Sequence, residues 1–158
     1  TTSLIGRAVM HLAGDEERQA RLRAHPEELM RFIEEMLRLD GPFRFHYRST
    51  PRDTELGGVA IPAGSRVLLM WAAANLDEDY FERPDEFDPE RAALRSHFAF
   101  GRGLHFCIGA PLARLETRIA LEGLLRATNH LTLDPGGAPS FRRSIFVRKL
   151  DHLPLRFD

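Results

Sequence analysis

Apolar residues recur with the 3.6-residue period of α-helices through the first 38 residues of the chain. Residues 1–13 carry them on one face and end before a glycine, which predicts a half-buried helix. Residues 15–24 are rich in Glu, Arg, Gln and Ala and predict a polar, exposed helix. The clearest amphipathic pattern follows Pro26 and ends near Asp40. Its apolar positions have the spacing i, i+3, i+4, i+7 and i+8: Leu29, Phe32, Ile33, Met36 and Leu37.

After this helix the period changes to the alternation that is typical of β-strands. Residues 43–48 alternate aromatic and polar side chains, which predicts a half-buried strand. Residues 55–72 contain β-rich runs separated by glycine and proline, and this pattern predicts a hairpin. A short helix is predicted at residues 72–76. Residues 77–95 carry many acidic side chains and predict a loop that aromatic residues pin to the body of the protein.

A second long helix is predicted over residues 108–127, and a tail of turns and short β-like runs follows it. Four apolar residues of this helix are assigned to its buried side: Leu112, Leu115, Ile119 and Leu124. No internal repeat or low-complexity linker divides the sequence. Residues 1–158 are therefore predicted to form one domain of mainly α structure with small β-sheets, the α+β class.

The composition of the chain excludes some classes of partner but says little about the fold. The chain has 158 residues, and its 22 Lys and Arg against 23 Asp and Glu give a net charge of −1, without the basic excess of a nucleic-acid binder. No apolar run approaches the length of a membrane span. A single cysteine forms no internal disulfide. These features predict a cytoplasmic protein without nucleic-acid or membrane partners.

The single cysteine, Cys107, stands among three glycines in the stretch HFAFGRGLHFCIG, residues 97–109. The start of a helix favours negative charge and lowers the pKa of a thiol. Such a thiolate can act as a nucleophile with His105 as its base, as a redox sensor, or as a ligand of zinc or another metal. A free cysteine is, however, often only a small buried residue. The glycines favour a backbone that passes close to a flat group.

The segment FAFGRGLHFCIGAPLARLE, residues 98–116, resembles the cysteine-ligand loop of the cytochrome P-450 superfamily of haem-thiolate monooxygenases. The resemblance implies that Cys107 is the proximal thiolate ligand of the iron of haem b. It implies that Phe100 lies against the sulfur, and that Gly103 and Gly109 let the loop pass close beneath the porphyrin.

Other segments carry the same resemblance. Glu35 and Arg38 match the family's Glu-x-x-Arg helix, and Arg91 matches the arginine that joins this pair in a buried structural network. On a helical wheel Glu35 and Arg38 lie opposite the apolar stripe, so their spacing alone predicts a solvated pair.

Further residues are assigned to the haem and to oxygen by the same resemblance. Arg48, His97 and His105 match partners of the haem propionates, and Thr1 matches the threonine that assists oxygen protonation. An arginine suits a propionate because its fork can bind both carboxylate oxygens.

The implied activity is insertion of one atom of O2 into an organic substrate, with electrons from NAD(P)H passed through a ferredoxin-type partner. Residues 43–47 and 144–146 are candidates for lining a pocket for a small hydrophobic substrate. Arg102, Arg114 and Arg118 are candidates for a basic patch that receives an acidic electron donor.

The resemblance corresponds to the C-terminal, proximal-haem portion of a bacterial-type member, from the end of the long oxygen-side helix to the last strands. Two alternatives therefore stay open. The first is a truncated, non-catalytic protein that folds without haem and self-associates through exposed apolar surface. The second is a thiol enzyme that uses Cys107 and His105.

Overall fold

The computed structural model describes residues 1–158 and contains five α-helices and four two-stranded antiparallel sheets. The helices are α1 (Thr2–Leu12), α2 (Glu16–Ala24), α3 (Leu29–Asp40), α4 (Trp71–Ala74) and α5 (Ala110–Ala127). The strands are β1 (His46–Ser49), β2 (Thr54–Leu56), β3 (Val59–Ile61), β4 (Arg66–Leu69), β5 (Leu131–Leu133), β6 (Ser140–Phe141), β7 (Leu150–His152) and β8 (Leu155–Phe157). Short 3-10 turns occupy Pro26–Glu28, Leu94–Ser96 and Gly103–His105. The prediction of mainly α structure with small sheets is confirmed.

The hydrophobic core lies where α1, α3 and α5 pack against one another. The apolar stripe predicted for α3 is buried in full, and α1 contributes residues at the matching spacing. The core side chains from these two helices are Leu4, Ala8, Val9, Leu12, Leu29, Phe32, Ile33, Met36 and Leu37. Burial of such side chains is the main favourable contribution to folding. The core thereby fixes α3 against α5, the two helices between which the loop before α5 is held.

Helix α2 is less exposed than its polar composition predicts. The Asp15 side chain caps the helix by accepting the Arg18 amide at 2.8 Å. Its inner face buries Leu22 and Gln19. The Gln19 amide donates to the carbonyl oxygens of Leu12 and Leu131, at 2.7 and 2.8 Å. Gln19 is therefore buried because it satisfies backbone groups of α1 and β5.

The predicted hairpin is right only in its first half. Strands β2 and β3 pair across Gly57 and Gly58, both of which have positive φ, as a tight two-residue turn requires. Strand β4 pairs with β1 instead of β3. The strand predicted for residues 43–48 begins only at His46, because Phe43 bridges to Val147 near the chain end.

Helix α5 buries a different face from the one predicted. Three of the four residues assigned to its buried side, Leu112, Leu115 and Ile119, are at least half exposed. The inward positions are instead Ala110, Thr117, Leu121 and Leu125. Apolar residues occur on several sides of this helix, so periodicity did not identify the face that packs on α1 and α3.

Replacing Leu121 with Ala tests this orientation. We expect a loss of at least about 2 kcal/mol of unfolding free energy, because Leu121 is fully buried and its removal leaves a cavity. Ile119→Ala, two residues away and more than half exposed, is the matched control and is expected within about 0.5 kcal/mol of the parent. Urea denaturation followed by circular dichroism measures both. Equal losses would contradict this orientation of α5.

Candidate functional site

A cavity of about 790 Å³ opens between the start of α1, strand β1, the start of α4 and the loop before α5. This volume lies in the range of small-molecule and cofactor sites. Six of the predicted site residues line it: Thr1, Arg48, Phe100, His105, Cys107 and Gly109. Gly103 and His97 do not. The structure thus brings most of the candidates to one cavity, although Thr1 and Gly109 are more than a hundred residues apart in sequence.

The loop that carries Cys107 is held by backbone hydrogen bonds that need its glycines. Gly101 and Gly103 both have φ of +72°, a conformation that residues with a Cβ rarely adopt. The Cys107 amide donates to the Phe100 carbonyl oxygen at 3.0 Å. The Cys107 carbonyl accepts from the Ala110 amide, at the start of α5. Cys107 therefore lies just before the helix instead of within its first turn, and its thiol is exposed.

The residues around this thiol suit a flat group that carries carboxylates. A Cβ added at Gly109, which lines the cavity, would meet only the Cys107 Sγ within 4 Å, at 3.8 Å, so space beside the thiol is open. Arg48, Arg102 and Lys149 also line the cavity, and none of these three cations is paired with a carboxylate of the protein. The amides of Ile108 and Gly109, directly after Cys107, donate to no backbone carbonyl. An exposed thiol, open space and unpaired cations together fit a haem with its two propionates.

His97 is placed away from the cavity, in contrast to the propionate contact that the sequence resemblance implies. Its Nδ1 accepts the Ala99 amide at 3.2 Å, so Nε2 carries the proton and donates to Glu34 at 3.0 Å. The side chain is 1% exposed. Both ring nitrogens therefore form hydrogen bonds within the protein. His97 belongs to a buried cluster behind the loop of residues 98–109, which we call the cysteine loop.

The structure brings Glu35, Arg38 and Arg91 together in a buried cluster. Arg38 donates to both Glu35 oxygens, at 2.7 and 2.8 Å, and Arg91 Nε lies 3.5 Å from Glu35 Oε1. The side chains of Glu35 and Arg38 are fully buried. Arg38 also donates to the carbonyl oxygens of Asn75, Pro84 and Glu86. One guanidinium thus holds the loop of residues 75–91 against α3.

A family model described as "Cytochrome P450" matches residues 9–149 of the chain. This chain belongs to the cytochrome P450 family. Members of this family carry haem iron, in agreement with the chemistry of the cavity. No helix of this P450 chain combines the length and the apolar character needed to cross a membrane.

Individual P450 proteins resemble the chain over nearly its whole length. Cytochrome P450 144 of Mycobacterium tuberculosis is 47% identical over 156 residues, which are 98% of this chain and 35% of the relative. The 6-deoxyerythronolide B hydroxylase of Saccharopolyspora erythraea is 40% identical over 159 residues, 100% of this chain and 39% of that enzyme. The chain therefore spans little more than a third of the length of these relatives.

A solved P450 structure shares the fold of the described residues. The substrate-free Mycobacterium marinum cytochrome P450 CYP150A6 superposes with a TM-score of 0.95 at 34% identity. The match covers 99% of this chain and 40% of that chain. The arrangement of helices and small sheets described above is thus part of the P450 fold.

Sequence reasoning included His46 among the candidate pocket residues 43–47 but missed Trp71, which also lines the cavity. Trp71 Nε1 donates to His46 Nδ1 at 2.7 Å, and both side chains contribute to the cavity wall. The Trp71 ring stacks on Phe98, with centroids 6.2 Å apart and an angle of 10° between the planes. Trp71 is the only tryptophan of the chain, which was an available signal. The contact with His46 spans 25 residues and had no signal in the spacing.

The predicted basic patch does not consist of three free cations. Arg114 is paired with Glu34 through Nε and Nη2, at 2.5 and 2.9 Å, and its side chain is 21% exposed. Arg118 pairs with Glu122 at 2.9 Å on the same helix. Arg102 alone has no acidic partner, and its guanidinium lies over the Phe98 ring. Arg114 therefore has a role inside the protein.

The alternatives for Cys107 find little support in its surroundings. No group of three or more His, Cys, Asp or Glu side chains is arranged to hold a metal ion, so a zinc site lacks its ligands. The Cys107 thiol accepts no hydrogen bond from His105, although both residues line the cavity. A nucleophile activated by this histidine would require their side chains to meet.

Glu34 carries a buried charge that is strongly stabilised. Burial by itself raises the pKa of the Glu34 carboxyl. The hydrogen bonds from His97 and Arg114, together with the positive charge of Arg114, outweigh burial and lower the pKa from 4.5 to about 2. Because the pKa is lower in the folded state, the carboxylate contributes stability above about pH 4.5, and this contribution is lost as the pH falls towards 2.

A pH series on Glu34→Gln tests this contribution. The parent is expected to exceed the variant by up to about 3 kcal/mol of unfolding free energy near neutral pH, and the difference should shrink steadily below about pH 4.5. Burial raises the pKa of Asp40, so the contribution of Asp40 to stability depends on pH in the opposite direction. Asp40 is present in both proteins, so its contribution cancels in the difference between them. Urea titrations between about pH 7 and about pH 3 provide the measurement. A difference that does not change over this range would contradict the assignment.

Proposed function

We propose that the chain forms the thiolate side of a haem monooxygenase, with Cys107 as the ligand of the iron of haem b. The observation that carries the proposal is the exposed Cys107 thiol in a cavity of about 790 Å³ that also collects unpaired cations. When bound, the haem supplies activation of O2, and the thiolate favours cleavage of the O–O bond. The overall reaction would consume O2, two electrons and two protons, place one oxygen atom in a substrate C–H bond and release the other as water.

The residues of the chain have separate tasks in this proposal. Arg48 and His105 hold the haem propionates, and Lys149 is available to the same carboxylates. Gly109 keeps the backbone close to the haem face, Gly103 supplies the positive φ that the loop needs away from the cavity, and Phe100 supports the cysteine loop. Glu35, Arg38 and Arg91 hold the scaffold and take no part in the chemistry.

Oxygen and substrate are assigned to the opposite wall of the cavity. The Thr1 hydroxyl lines the cavity at the start of α1, and we assign it to proton delivery to oxygen. Phe43 lines the same cavity, and Phe146, which does not reach the cavity, packs edge-on against Phe43 with ring centroids 5.3 Å apart. The Phe43 ring suits a small hydrophobic organic substrate. Electrons come from NAD(P)H through a ferredoxin-type partner.

A second candidate function is a non-catalytic protein that folds without haem and self-associates. The exposed apolar face of α5, with Leu112, Leu115 and Ile119, favours it because apolar surface of this kind promotes association. The two candidates differ in haem binding, which is directly measurable.

The deciding experiment is a carbon monoxide spectrum of the reduced, haem-reconstituted chain. A strongly red-shifted Soret band demonstrates thiolate ligation and supports the monooxygenase. A folded far-ultraviolet spectrum without such a band, together with a dimer or larger species in sedimentation, supports the second candidate. Rapid alkylation of Cys107 at neutral pH in a monomeric chain without the band supports the thiol enzyme.

A further inference from the structure

A buried carboxylate joins three separate segments directly behind the cysteine loop. The Glu34 side chain is 1% exposed and lies on α3. Its oxygens accept two hydrogen bonds from Arg114 of α5, at 2.5 and 2.9 Å, and one from His97, at 3.0 Å. A carboxylate that accepts a bidentate arginine and a further N–H has a fixed orientation. The proposed function gives this cluster no role.

The cluster surrounds a single residue of the cysteine loop, Phe100. The guanidinium carbon of Arg114 lies 4.6 Å from the centroid of the Phe100 ring, a cation–π contact. The His97 ring lies 6.2 Å from the same centroid. Phe100 also packs edge-on against Phe106, at 6.3 Å, and against the hydrophobic core. The two polar groups beside the Phe100 ring are both held by Glu34, so the carboxylate on α3 contributes to the position of this ring.

A backbone hydrogen bond connects Phe100 to Cys107. The Phe100 carbonyl oxygen accepts the Cys107 amide at 3.0 Å, the hydrogen bond that closes the loop. The Ala99 amide donates to His97 Nδ1, so the residue before Phe100 is bound to the same cluster. A continuous series of contacts thus leads from Glu34 through Arg114 and Phe100 to Cys107.

We propose that Glu34 is a positioning residue for Cys107, which acts by holding Arg114 and His97 against Phe100 and so fixes the direction in which the thiol faces the cavity. Glu34 touches neither the thiol nor the cavity and is not a catalytic residue. The effect of Glu34 on Cys107 as an iron ligand rests on the proposed function. The effect of Glu34 on the loop around Cys107 does not, because it is present in the chain without haem.

Amide hydrogen exchange in the chain without haem tests the proposal. In Glu34→Gln and Arg114→Gln the Cys107 amide is expected to exchange about tenfold faster than in the parent, because a charge-assisted contact that keeps the loop closed is lost. Arg114→Lys, which keeps the charge but loses the fork and the flat stacking surface, is expected to fall between them and the parent. Arg118→Gln is the matched control: it breaks an ion pair one turn further along α5 and leaves the Cys107 amide unchanged.

Leu121→Ala separates positioning from general destabilisation, because it weakens the core of α5 without touching the Glu34 cluster. A faster Cys107 exchange in Glu34→Gln that Leu121→Ala does not reproduce supports the proposal. An unchanged Cys107 rate in Glu34→Gln, or an equal increase in Leu121→Ala, overturns it, because a merely structural role acts through global opening.

The carbon monoxide spectrum adds a second readout. If the parent shows the red-shifted Soret band, Glu34→Gln is expected to show a smaller red-shifted fraction at equal haem content, and an equal fraction overturns the positioning role. If the parent shows no such band, the proposed function fails, and exchange at Cys107 alone decides the inference about Glu34.

Discussion

Replacement of Arg38 by Met is expected to remove about 3–5 kcal/mol of unfolding free energy, a large fraction of the stability of a typical domain. The variant leaves the Glu35 carboxylate buried without its main partner. It also removes the donor to the carbonyl oxygens of Asn75, Pro84 and Glu86. A methionine fills much of the volume but donates no hydrogen bond, so the cost comes from unpaired polar groups. Urea denaturation followed by circular dichroism measures the loss.

A matched ion pair on the surface provides the control. Arg21 donates to Glu28 at 2.6 Å, but half of its side chain is exposed, so Arg21→Met is expected within about 0.5 kcal/mol of the parent. Adding Glu35→Gln to Arg38→Met should restore part of the loss, because the buried carboxylate no longer has to be held without a partner. Arg38→Met with a loss no larger than that of Arg21→Met would show that the cluster does not hold the loop of residues 75–91.

Arg38 shows what the pattern of apolar residues along a helix can predict and what it cannot. The apolar stripe of α3 identified its buried face correctly, since Phe32 and Met36 are in the core. The same pattern placed Arg38 on the solvated side, and only the family resemblance indicated burial. The side is covered because the loop of residues 75–91 folds over it. That contact joins segments about 40 residues apart, whereas a periodicity describes only the helix itself.

Long-range contacts also explain the remaining differences within the site. Motif matching selected residues that do line one cavity, Cys107 and Arg48 among them. It assigned His97 to a propionate, whereas His97 pairs with Glu34, 63 residues earlier in the chain. Glu34 itself escaped notice because it directly precedes Glu35, the residue that carries the motif. Two adjacent acids on a helix point to different neighbours, and the sequence does not show which neighbours those are.

Cys107→Ser is expected to abolish the red-shifted Soret band of the reduced carbon monoxide complex altogether. A serine hydroxyl has a far higher pKa than a thiol and does not supply the soft anionic ligand that produces the band. The exchange of sulfur for oxygen should cost little stability, because the Cys107 side chain is exposed and its loop is held by the backbone. Spectra of parent and variant at equal haem addition, with circular dichroism for folding, give the result.

Ile108→Ser is the matched control for this loss, since Ile108 is the next residue of the same loop and is 99% exposed. It introduces the same hydroxyl without touching the sulfur, so its red-shifted band should equal that of the parent. Loss of the band in both variants would show that the loop tolerates no serine and would leave the ligand unassigned. Survival of the band in Cys107→Ser would contradict ligation through the sulfur. Because both variants keep the backbone hydrogen bond between Cys107 and Phe100, a difference between them isolates the sulfur from the loop that presents it.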